Sequence, residues 1–153
     1  MSDSQQVRRR NAWSLLPLRL MVGFGFAAHG FAKLSHGPEK FGDLLAALGV
    51  PLPHVMSWVT TLVELLGGLL VMAGAFVVPL SVPLAITMLT AMFTVHLRYG
   101  FSTIKFRAVD AAGPEFGKPG YELNLLYIAG LLTLVLAGST PFSLDAYRAR
   151  KRV

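Results

Sequence analysis

Residues 55–78 read VMSWVTTLVELLGGLLVMAGAFVV. About 20 apolar residues cross a bilayer as a helix, so this stretch is long enough to span one. Its only charge is Glu64. A charge in hydrocarbon costs roughly 2.5–3.5 kcal/mol on insertion scales, and such residues face one another or a polar cavity and often mark the working site. Three more apolar stretches repeat the pattern. Asn11–Leu34 carries Arg19, His29 and Lys33, Ser81–Gly100 carries His96, and Tyr121–Gly138 opens on Glu122. Only 14% of the chain is charged, against about a quarter in a soluble domain. The expected fold is all-α, an integral membrane four-helix bundle forming one domain over 1–153, with spans near 11–34, 55–78, 81–100 and 121–138.

The connections differ in kind. Between the first two spans, Phe41, Leu44, Leu45 and Leu48 recur at helical spacing. They predict a short amphipathic helix at the membrane interface, ended by Pro51 and Pro53. Val78-Pro79-Leu80-Ser81 predicts a tight turn between spans two and three. Residues 101–120 predict a long loop in which Gly113-Pro114 and Pro119-Gly120 break any helix. The first stretch reads as a retained anchor rather than a cleavable signal, because it is longer than a typical signal core and contains Arg19.

The net charge of +6 does not form a nucleic-acid face. Basic residues cluster as Arg8-Arg9-Arg10 and as Arg148, Arg150, Lys151 and Arg152, just outside the first and last spans. That pattern and an even span count predict a multi-pass membrane protein with both termini in the cytoplasm. The lipid bilayer is the first partner implied, and nucleic acid is not one. Cysteine is absent, which excludes thiolate zinc sites, cysteine-ligated iron–sulfur clusters and disulfides. No metal site is assigned.

Helical geometry gathers the ionisable residues. At about 100° per residue, Arg19, Gly23, Phe26, Gly30 and Lys33 share a stripe of span one, with His29 beside it. Glu64 lies roughly 13 Å below the outer end of span two, and His29, His96 and Glu122 lie within about a turn of that same side. The set converges on the outer half, and Arg19 sits deeper. Each member has a plainer reading. Lys33 can snorkel to the interface, Glu122 can sit on its helix dipole, the histidines can bond backbone carbonyls, and Arg19 with Glu64 can be a structural ion pair. The functional reading gives Glu64, His29 and Glu122 catalytic proton-handling roles, and Arg19, Lys33 and His96 substrate-binding roles. His, Lys and Arg donate to quinone carbonyls, and a carboxylate relays protons. Quinone is the cofactor or substrate this chemistry suits. Haem b between His29 and His96 is disfavoured, because two histidines near one depth are a common pattern.

Three runs carry a family resemblance: Leu18-Arg19-Leu20 with Gly23 and Ala28-His29-Gly30-Phe31-Ala32-Lys33; Val63-Glu64-Leu65-Leu66-Gly67-Gly68 with Gly74; and Gly120-Tyr121-Glu122-Leu123-Asn124. Together they resemble the DoxX family of small bacterial four-span membrane proteins. The resemblance implies membrane redox work, in the bacterial cytoplasmic (inner) membrane. Some relatives are linked to thiosulfate:quinone oxidoreduction, others to quinone or catechol detoxification and oxidative-stress complexes. It carries over onto Arg19, His29, Lys33, Glu64 and Glu122, whereas His96 rests on geometry alone. Two classes of function follow: a quinone-linked oxidoreductase subunit or detoxification protein, and a non-catalytic scaffold that docks a soluble redox or stress-response partner through its outer loops.

Overall fold

Glycines decide how closely the helices approach. In the computed structural model, which describes residues 13–138 and 140–151 with the side chains of 149 and 150 excepted, α1 (Leu16–His36) packs antiparallel on α3 (Pro53–Ala73). A Cβ on Gly30 would overlap the Leu65 backbone, and one on Gly68 would overlap Ala27. Small residues at these points let two backbones meet. Between them runs α2 (Pro38–Ala47), where the sequence predicted an amphipathic helix. The Ser57 hydroxyl donates to the Pro38 carbonyl and ties α2 to α3. Pro53 opens α3 rather than closing α2. A proline fits a first turn, whose N–H groups have no partner inside the helix.

The turn between the second and third apolar helices falls earlier than expected. α3 ends on Gly74, whose φ of 66° is the left-handed conformation that favours glycine, and α4 (Val77–Ala91) starts three residues later. Val78, Pro79 and Leu80 therefore lie in α4 and not in a turn. Pro79 sits where no donor is required, so Gly74 ends the helix and the proline does not. Beyond Ala91 the helix widens into a π turn over Met92–His96 and tightens into a 3-10 turn over Leu97–Tyr99.

The segment expected to be an irregular loop contains a β-hairpin. β1 (Phe106–Asp110) pairs antiparallel with β2 (Gly113–Phe116), with Phe106 opposite Phe116 and a bulge between Phe106 and Ala108. The Asp110 carboxylate accepts the Ala112 N–H at 2.8 Å and closes the turn. The chain then enters α5 (Glu122–Ala137), close to the predicted span, and ends in the short α6 (Leu144–Arg150). The beginning of the first predicted span at Asn11, the Arg8-Arg9-Arg10 cluster and Arg152 lie outside the described residues.

α4 and α5 pack together, α5 also touches α1, and α4 touches α3. The apolar core between them holds Val22, Phe26, Val71, Leu84, Leu131 and Leu134. Yet the buried set also includes Arg19, Ser57, Thr61, Glu64, Ser81 and Asn124, while Met21, Phe24, Leu66, Val82, Ile86, Phe93, Leu126 and Leu136 face outward. Polar inside and apolar outside is the arrangement a hydrocarbon solvent demands. Two helices, Pro53–Ala73 and Val77–Tyr99, are long and apolar enough to cross a membrane, with 33% and 17% of their apolar stretches buried. The core helix of a soluble protein would be mostly covered. α5 is apolar but has 16 residues.

Candidate functional site

The two ends of the helix assembly present different chemistry. One end carries α2 and the β-hairpin. The other carries the start of α1, the α3–α4 turn and the C-terminal segment.

At the hairpin end, the Lys33 Nζ meets Glu64 Oε2 at 2.5 Å. Lys33 comes from the last turn of α1 and Glu64 from the middle of α3. The close approach at Gly30 lets these side chains reach each other. Glu64 is 3% exposed at its side chain and Lys33 22%, so the pair is half-closed, with the ammonium toward the outside. The Phe41 ring of α2 lies 4.6 Å from the Lys33 Nζ and supplies a cation–π contact. α2 is held down further by Trp58 donating to Glu39 at 3.2 Å and by His54 Nδ1 at 3.0 Å from Glu39. Lys33 is thus a half-buried ion-pair partner, its ammonium on Glu64. A carboxylate and an ammonium in contact, the ammonium one turn from the end of α1, can hold and pass a proton.

The other predicted members of this cluster do not join the pair in hydrogen bonds. His29 is exposed on the outer face of α1, its ring 6.4 Å from that of Tyr127. His96 Nδ1 lies 3.1 Å from the Pro119 carbonyl. Glu122 accepts the Thr103 N–H at 3.0 Å, and its own N–H donates to Phe101 at 3.0 Å. His96 and Glu122 therefore bind the loop around the hairpin to the helix ends. The plainer readings of these two, backbone-bonded histidine and first-turn carboxylate, describe the contacts they make.

Arg19 stands apart. Fourteen residues of helix separate it from Lys33, about 21 Å along the axis. It is 3% exposed, and its guanidinium donates to the Thr140 hydroxyl and, at 3.2 Å each, to the Pro141 and Phe142 carbonyls. Arg19 and Glu64 do not form the structural ion pair that the sequence allowed, because each finds its partners at its own end. Sequence reasoning missed those partners. Ser143 accepts the Ala146 N–H at 3.0 Å as the cap of α6, and Asp145 accepts from the Phe76 and Val77 N–H groups at 3.1 and 3.3 Å. Ser143-Leu144-Asp145, a cap residue followed by an acid, was the available signal. Asn124, buried in α5 and donating to the Met88 carbonyl at 3.2 Å, was also missed. Among the described residues no three metal-ligating side chains gather.

Comparison with known proteins places the chain. The DoxX family model matches residues 14–97. A Bacillus subtilis (strain 168) protein named "Putative oxidoreductase CatD" is 30% identical over 132 residues, which are 86% of this chain and 84% of that protein. No solved structure matches.

Proposed function

This chain belongs to the DoxX family, and on that premise we propose that it is a quinone-linked redox protein of the bacterial cytoplasmic membrane, either an oxidoreductase subunit or a protein that detoxifies quinones and phenols. In this reading the helices α1, α3, α4 and α5 form a single-domain four-span bundle. α2 lies along the interface, and both termini face the cytoplasm. The geometry supporting shared sidedness is that Arg19 near the start of α1 bonds residues 140–142 after α5.

The observation that carries the proposal is the Lys33–Glu64 pair. A quinone becomes a quinol by taking up electrons and protons together. The Lys33 ammonium gives a proton to a quinone oxygen as the ring is reduced at the hairpin end, and the Glu64 carboxylate takes a proton from water and returns it to the Lys33 amine, once for each of the two protons the quinol needs. Glu122, His96 and His29 lie on the same side of the molecule and serve as secondary groups lining the approach. Electrons come from a reduced substrate or a redox partner protein. The relative's name, an oxidoreductase, agrees with this class of chemistry.

The test is Glu64→Gln in cells challenged with a benzoquinone. The expected result is loss of protection, or of quinone-dependent turnover in membranes, while the protein still accumulates. Protection equal to wild type removes the pair from the mechanism.

The scaffold reading has one observation in its favour. Ile104, Phe106, Val109 and Phe116 are exposed at the hairpin end, an apolar patch of the kind that marks a protein-docking surface. In that reading, deleting residues 104–117 removes partner capture and quinone-dependent turnover together, while Glu64→Gln leaves both intact.

A further inference from the structure

The opposite end of the molecule contains a cavity of about 120 Å³ between the start of α1, the α3–α4 turn and the end of α5. Its polar wall is Arg19, Thr140, Ser143 and Asp145, and its apolar wall includes Val77 and Leu134. Arg19 is the informative member. It is almost wholly buried, it has no carboxylate in ion-pair contact among the described residues, and its Nε–H is buried without an acceptor. A buried cation held by neutral groups alone is costly. Asp145 accepts one hydrogen bond at each carboxylate oxygen. A carboxylate has about four acceptor positions, so capacity remains.

One cation and one carboxylate share this wall. An anion entering it is opposed by Asp145, and a cation by Arg19. A zwitterion satisfies both. The volume equals about four waters at liquid density, the scale of a small headgroup. The surroundings place the cavity at the level of lipid headgroups. Trp13 and Phe142 stack edge to face at 5.4 Å, Phe76 and Tyr147 are exposed, and the Arg148 guanidinium lies 4.6 Å from the Phe76 ring centroid. Exposed aromatics interleaved with basic residues mark a membrane–water interface. Val78, at 56% exposed, stands at the cavity's rim.

We propose that this cavity binds the phosphoethanolamine headgroup of a membrane phospholipid, with the phosphate on Arg19 and the hydroxyls of Thr140 and Ser143, and the ammonium on Asp145. The ammonium offers N–H donors to Asp145, which a phosphocholine headgroup lacks and an uncharged glycerol headgroup does not match. The inference rests on the membrane placement given above but not on the redox reading, because the cavity lies about 21 Å along α1 from Lys33.

The experiment uses the full chain in mild detergent with dioleoyl phosphatidylethanolamine, phosphatidylcholine or phosphatidylglycerol added. Retention by native mass spectrometry and the unfolding midpoint are read together. Phosphatidylethanolamine is expected to be retained about tenfold over the other two, the worth of one charge-assisted hydrogen bond, and to raise the midpoint. Asp145→Asn removes that preference, and Arg19→Gln removes retention. If Arg19→Gln does not fold, Val78→Trp blocks the rim from a position outside the core and gives the same loss. Equal retention of all three lipids, preference for phosphatidylglycerol, or an unchanged preference in Asp145→Asn overturns the proposal. So does a midpoint raised by free phosphoethanolamine but not by the lipid. Quinone protection by Glu64→Gln is read separately, so either idea can fail alone.

Discussion

Both ends of this molecule bury a charged side chain, and they stabilise it in opposite ways. At the hairpin end, Glu64 is matched by an ammonium at 2.5 Å. At the other end, Arg19 is matched by a hydroxyl and two carbonyls. The first arrangement is an ion pair between two helices. The second is a clasp in which one guanidinium gathers the C-terminal segment onto the start of α1. Removing one member of an ion pair leaves a full charge behind. Removing a guanidinium from neutral partners leaves only dipoles. The same residue class therefore predicts different penalties at the two ends.

The largest effect belongs to Glu64→Leu. It strands the Lys33 ammonium half-buried and is expected to cost about 3–5 kcal/mol, read as unfolding in detergent by circular dichroism. Arg19→Leu is expected to cost less, about 1–3 kcal/mol, the desolvation of acceptors left without a donor. If Arg19→Leu proves the more damaging, the distinction between pair and clasp collapses. Asp145→Ala sharpens the description of the clasp. That side chain caps the start of α4, where Phe76 sits at φ 53°. Its loss should cost about 1 kcal/mol, the usual value of an N-cap, and hydrogen exchange should quicken at Phe76 and Val77. His29→Ala should change stability by no more than about 0.5 kcal/mol, as for a surface substitution. A larger loss would mean that His29 belongs with the buried pair after all.

The contrast also explains what could be read in the chain. The helices were legible because long apolar runs admit few alternatives, and Tyr121–Gly138 agrees with α5 almost to the residue. The α3–α4 turn was misplaced because Pro79 looks like a breaker in sequence, while a first-turn proline breaks nothing. The hairpin at 106–116 was missed because its strands are five and four residues long and almost entirely exposed, so no alternating pattern marks them. Burial of Arg19 and Glu64 followed from their depth in apolar runs. Their partners did not follow, since a stripe on one helix fixes direction but not which residue of another helix arrives there. Lys33 meets Glu64 because Gly30 lets the α3 backbone in, and Arg19 meets Thr140 because residues 140–142, after α5, lie against the start of α1. The first leaves no signature of which residue arrives, and the second leaves only the cap pattern at Ser143 and Asp145.

The central claim is that the Lys33–Glu64 pair is there for chemistry and not for folding. The double variant Lys33→Met, Glu64→Met tests it most directly. Replacing a buried ion pair by apolar side chains is commonly neutral or stabilising by about 1–4 kcal/mol, so the double variant should accumulate in the membrane at least as well as wild type. Cells carrying it should nevertheless lose tolerance to a benzoquinone to the level of cells lacking the protein. Normal accumulation with undiminished tolerance would contradict the account and leave the pair a structural contact.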